Sequence, residues 1–209
     1  MSATSYPIPD LNGQDLEVCI DVKNSQFIAN LRHTPGRPAC TKHLHDMRDQ
    51  YPDANHHCWA VVAEAPGNST FWGFSDAGEP SGTAGKPMLQ VLSHADIGEV
   101  SVVVIRYFGG TKLGTGGLVK AYGDAVKEVI AACPTKLKLD LCEVNIALPY
   151  DLSGKIEHVC QQYEGEIIGR EYGQDLQLKV RLEAHQQGAL KQALAAWPLV
   201  SVSGAKPLA

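Results

Sequence analysis

The stretch "GEVSVVVIRYFGGTKLGTGGLVKAYGDAVKEVIAAC", Gly98 to Cys133, decides the reading of this chain. Its β-branched run from Val100 to Ile105 is nearly unbroken and lies between Gly98 and the pair Gly109-Gly110. That pattern predicts a strand buried on both faces. Beyond the glycines, Leu118, Ala121, Tyr122, Ala125, Val126, Val129 and Ile130 recur at the i, i+3, i+4, i+7 spacing of an amphipathic helix. A strand, a glycine-rich turn and a helix in direct succession place the chain in the α+β class.

Working toward the N-terminus, "GFSDAGEPSGTAGKP" (Gly73 to Pro87) carries four glycines and almost nothing apolar after Phe74. It is expected to be a turn-rich segment leading into a short helix near Ala84. "HHCWAVVAEA" (His56 to Ala65) predicts a buried strand. Arg37 to Gln50 predicts a helix with a modest apolar stripe, and residues 16–32 predict a hairpin turning near Lys23-Asn24-Ser25. Toward the C-terminus, Pro134 ends the long helix and "TKLKL" leads away, so a domain boundary is expected near Thr135 to Lys138. The domains are then 1–137 and 138–209. The second has the element order βαββαβ, the ferredoxin-like split pattern.

The length of 209 residues suits two small domains. A hydrophobic fraction of 44% with 20% charged residues excludes wholesale disorder. No apolar run approaches a membrane span, and the first residues have neither a basic region nor an apolar one, so no membrane partner is expected and the chain is expected in the cytoplasm. Six cysteines without CxxC spacing fit reduced thiols. The net charge of −5 argues against a nucleic-acid-coating protein, yet Val100 to Gly123 holds Arg106, Lys112 and Lys120 and no carboxylate.

Gly85-Lys86 invites comparison with a phosphate-binding loop, but Pro80 and Pro87 stand where that motif needs Gly and Ser or Thr. Gly114-Thr115-Gly116-Gly117 is a poor dinucleotide fingerprint because Val119 sits where a third small residue belongs. Gly109, Gly110, Gly114, Gly116 and Gly117, with Lys86, Arg106, Lys112 and Lys120, either make an anion site at a helix start or simply let helix and strand pack closely. Cys40, His43, His45, His56, His57 and Cys58 have zinc-binding atom types but not the geometry, so no metal is expected. Asp76 and Glu79 are candidate acid and base, with the alternative that Ser75, Asp76 and Ser81 form turns and caps.

"DANHHCWA", "GFSDAGEPSGTAGKPML", "VSVVVIRYFGGTKLGTGGLVKAYGDAV" and the βαββαβ tail together resemble the YigZ/IMPACT family in its bacterial form. The resemblance covers the chain from about Leu16 onward, with Gln26 standing where members often carry a basic residue. It implies an N-terminal ribosomal-protein-like βα domain similar to domain IV of elongation factor G. It also implies a C-terminal domain similar to domain V. Eukaryotic relatives act in translational control by restraining a stress kinase, a pathway bacteria lack. What the resemblance implies for a bacterial chain is association with RNA, the ribosome or a protein of the translation apparatus, without cofactor. The reading is therefore a non-enzymatic accessory whose surface includes the loop Ser75, Asp76, Glu79, Ser81 and Thr83. The alternative is a small-molecule enzyme or phosphometabolite-binding protein using Asp76, Glu79, Ser81 and Lys86.

Overall fold

The computed structural model describes residues 5–207, with side chains described through residue 204. It divides into two compact units between Lys138 and Leu139. The first contains β1 (Ser5–Pro9), β2 (Leu16–Val22), β3 (Ser25–His33), α1 (Gly36–Gln50), β4 (His56–Val62), β5 (Trp72–Ser75), α2 (Gly85–Ser93), β6 (Val100–Tyr107), α3 (Gly114–Ala131) and β7 (Thr135–Leu139). The second contains β8 (Leu141–Leu148), α4 (Ser153–Gln162), β9 (Glu166–Tyr172), β10 (Leu176–Glu183), α5 (Gln187–Leu194) and β11 (Ser201–Pro207).

In the first unit a five-stranded sheet has the order β2-β3-β6-β4-β5, and every pairing in it is antiparallel. The central β6 is buried throughout, except for the half-buried Tyr107 at its end. The cause is a helix layer on each face. Val102 and Val104 pack with Phe27, Ala60, Met88, Leu118 and Tyr122 beneath α2 and α3. Val103 and Ile105 point the other way, to Met47 of α1. Alternation is thus hidden in β6 because both of its faces are apolar.

The expected hairpin turns at Lys23 and Asn24, with φ of 47° and 64°, the left-handed pair of a two-residue turn. Gly109 packs on this turn. A Cβ there would lie 2.0 Å from the carbonyl carbon and oxygen of Asn24, so any other residue would push the end of β6 off the hairpin.

Two edge strands depart from the expectations above, and a third strand, β1, lies where none was expected. Gly73 to Ser75, expected as loop, belong to β5, which pairs with β4. "TKLKL" does not lead away: it is β7, paired with β1 in a two-stranded ribbon. Glu99, buried, anchors that ribbon, accepting hydrogen bonds from His33 (2.9 Å) and Tyr6 (3.2 Å) and pairing with Lys138. The second unit is a four-stranded antiparallel sheet ordered β11-β8-β10-β9, the ferredoxin-like arrangement. Its core joins Val144, Ile146, Leu178 and Val180 to Ile156, Cys160, Leu190 and Leu194 of α4 and α5.

His43 of α1 is fully buried, with Nδ1 2.6 Å from Ser101 Oγ and Nε2 2.8 Å from Asn30 Oδ1. Burial, helped by the Arg32 charge, lowers its pKa to about 4 despite the opposing Asp15 and Asp46. The unfolded chain takes up this proton near pH 6.5 and the folded one only near 4. The associated stability is therefore complete above pH 6.5 and lost on acidification through that window, by roughly 3 kcal/mol. Urea unfolding measured at pH 7.5 and 4.0 is expected to show this loss, and His43→Gln is expected to flatten the profile in the same interval.

Candidate functional site

The two segments singled out in the sequence meet at Glu79. A tight turn, Glu79 N–H to Asp76 C=O at 2.9 Å, brings this about, with Ala77 and Gly78 at φ of 45° and 88°. The turn aims Glu79 inward rather than at solvent. Its Oε1 accepts from Arg106 Nη1 at 2.5 Å and from the Tyr122 hydroxyl at 2.8 Å, and His56 Nε2 lies 3.9 Å away. Cys58 Sγ sits 3.3 Å from the Tyr122 oxygen and 2.9 Å from the Asp76 carbonyl. The cluster is a hub tying β4, β6, α3 and the loop before α2.

Arg106 falls outside the anion surface expected for it. It is 6% exposed, because an even position on β6 shares the face of Val102 and Val104. Its guanidinium lies over the rings of both Phe27 and Phe108, 5.4 and 5.6 Å from their centroids. Aromatic faces suit a weakly hydrated cation. Its Nε is buried without a hydrogen-bond partner among the described residues.

Asp76 is not poised for proton transfer. Its carboxylate accepts from the backbone N–H groups of Gly82 (2.8 Å), Ala84 (3.0 Å) and Gly85 (2.8 Å), the start of α2. Burial raises the carboxyl pKa, but these three bonds outweigh it and leave the pKa below the ordinary range. Ser75 Oγ accepts from Ala77 N–H at 3.2 Å, and Thr83 Oγ1 donates to the Pro80 carbonyl at 2.7 Å. Ser81 and Lys86 are exposed. Asp76, Glu79, Ser81 and Lys86 therefore do not gather in one enclosed pocket. The Cys58 thiol is pushed up to about 12, chiefly by burial, and is inert as a nucleophile.

The histidines and cysteines that suggested metal binding are held separately. His56 Nδ1 bonds to Ala77 O at 3.0 Å, His57 Nε2 to Tyr51 O at 3.1 Å, and Cys40 Sγ lies 3.4 Å from Thr34 Oγ1. His45 is exposed while Cys40 and His43 are buried.

The glycines fall into distinct groups. Gly109 is required by packing, as above, and Gly117 stands 3.0 Å from Leu113 Cβ when given a Cβ. Gly110 and Gly114 have φ of 82° and 75° and are required by conformation. Gly114 to Gly117 form the first turn of α3 rather than a loop before it. Gly116 alone among these five has neither a close neighbour among the described residues nor an unusual φ. The loop from Phe108 is also pinned: Phe108 N–H donates to Asn55 Oδ1 at 2.8 Å and Gly109 N–H to Ser25 Oγ at 3.1 Å. Ser25, Asn55 and Tyr122 were not singled out as site residues in the sequence, and His56 was considered only as a metal ligand. For Tyr122 a signal existed, since a tyrosine on the apolar stripe of a helix must find its hydroxyl a buried partner.

Compared with known proteins, residues 23–130 match the Impact N-terminal domain and residues 146–197 match a domain of unknown function (DUF1949). The chain belongs to the IMPACT family. It is 45% identical over 164 residues to IMPACT family member YigZ of Escherichia coli (strain K12), covering 78% of this chain and 80% of the relative. It is 30% identical over 173 residues to IMPACT family member YvyE of Bacillus subtilis (strain 168), covering 83% and 79%. A solved structure titled "Crystal structure of an hypothetical protein" matches 98% of both chains at 39% identity and a TM-score of 0.68. The Impact match spans both halves of the Glu79 hub.

Removing one partner of a buried pair strands the other, whereas removing both need not. Glu79→Ala is expected to lower the unfolding free energy by about 3–5 kcal/mol, and Glu79→Ala/Arg106→Met to recover a substantial part of that loss. Urea denaturation of the four proteins of this double-mutant cycle measures the coupling.

Proposed function

We propose that this IMPACT-family protein is a non-enzymatic accessory of translation that binds RNA or the ribosome through the rim from Phe108 to Lys120. One observation carries the reading. Gly116 sits in a helix, where alanine would be favoured by up to about 1 kcal/mol, with no internal reason to be glycine. An open backbone at the start of an 18-residue helix gives a phosphate close access to amides carrying the positive end of the helix dipole.

The surroundings support it. Lys112 is exposed and has no ion-pair partner among the described residues. Lys120 is exposed and paired with Asp124 on the next turn, an exposed pair that a phosphate displaces at little cost. Phe108 is 47% exposed, and a ring backed by a buried guanidinium is a rigid platform on which an unpaired base can stack. Lys86 is exposed at the start of α2 and adds a further cation. Among the described residues no helix is long and apolar enough to cross a membrane.

Binding of ribosomal subunits and of structured RNA with single-stranded loops, followed across a salt series, tests the proposal. Lys112→Ala/Lys120→Ala is expected to weaken binding roughly tenfold at low salt and to reduce the salt slope by about one to two. Phe108→Ala is expected to weaken binding by about 1–3 kcal/mol without changing the slope. Unchanged binding by the double variant, or none by wild type at low salt, overturns it.

A further inference from the structure

Away from that rim, α1 and the β4–β5 edge enclose an open cavity of ≈ 220 Å³. Its walls include Trp59, Phe71, Trp72, Leu44 and Val61, and among the described residues no carboxylate lines it. Arg37, exposed on α1, lines it as well. The guanidinium donates to the Thr70 carbonyl at 2.9 Å and has no carboxylate partner among the described residues. Ser101 also borders the cavity, and its contact with His43 and Asn30 has the atoms of a hydrolytic triad. At 1% exposure, however, the Ser101 hydroxyl is out of reach of a substrate.

We propose that this cavity is a binding site for a small aromatic carboxylate. The size fits one ring with a short acidic arm, since a cavity of about 150 Å³ with apolar walls accepts benzene. Aromatic walls favour a ring by edge and face contacts. The uncompensated guanidinium selects a carboxylate over a neutral or cationic head, because a planar fork binds two oxygens at once. An aliphatic acid of equal size fills the volume without the aromatic contacts and binds less tightly. The site uses none of the residues of the RNA-binding rim.

Trp59 and Trp72 line the cavity, while Trp197 packs in the core of the second unit, so tryptophan emission excited at the red edge reports occupancy. The full chain is titrated with phenylacetate, phenylacetamide and phenethylamine. Phenylacetate is expected to perturb emission saturably, with the amide about tenfold weaker and the amine weaker still. Arg37→Gln is expected to bring acid and amide to equal affinity. Val61→Phe narrows the cavity and is expected to abolish binding with thermal melting unchanged. Should that variant fail to fold, Gly73→Ala constricts the same wall, since its Cβ would meet Trp59 at 3.2 Å and Val61 at 3.3 Å. No saturable change at millimolar phenylacetate, equal affinity of acid and amide in wild type, or binding that survives both wall variants overturns the proposal.

Discussion

A guanidinium buried beneath an apolar sheet face is the constraint on which the first unit turns. Arg106 shares its side of β6 with Val102 and Val104, where an uncompensated charge would be prohibitive. Among the described residues Glu79 is the carboxylate that meets it, and it does so through the Asp76–Glu79 turn, closed by two residues in left-handed conformations. That closure depends in turn on Asp76 being tied to the first amides of α2, and Tyr122 completes the carboxylate's partners from α3. A buried pair of this kind contributes little net stability against an apolar replacement. What it supplies is a single allowed position for the loop.

With Arg106 withdrawn, the outward chemistry of the same segment is sorted. Glu79, Arg106, Tyr122 and Asp76 are engaged inward, Arg106 Nε excepted, whereas Lys112, Lys120 and Phe108 remain at the surface. The amides of Phe108 and Gly109 are fixed to Asn55 and Ser25, so the rim follows a rigid scaffold rather than a free loop. The second unit disposes of its charges differently. Lys179 and Arg181 of β10 both pair with Glu143 of β8, 2.6 and 3.2 Å away, and Arg181 also lies 3.9 Å from Glu166 of β9, so two cations face two carboxylates there.

Much of the architecture was legible because it rests on local pattern. The β6 run, the α3 stripe, the Lys23-Asn24 hairpin and the βαββαβ order all follow from periodicity and turn chemistry. Three short strands were not. β1, β5 and β7 are short, and β7 has a polar, largely exposed sequence whose pairing is settled by a partner more than a hundred residues away. Within the site, the capping of α2 by Asp76 matched one of the two readings open to that residue. The placing of Arg106 among surface cations did not survive, since a charged residue in an apolar run is ambiguous until its counter-charge is located.

The sequence by itself determined which residues are chemically available: a strand and helix joined by glycines, a window free of carboxylates, and a loop too polar for a core. Tertiary structure decided which of them face inward. Side-chain direction along a strand is fixed by register, and register is fixed by neighbouring strands and by the helices packed on each face. The same arginine would be a phosphate ligand one position along β6; at 106 it is the partner of Glu79.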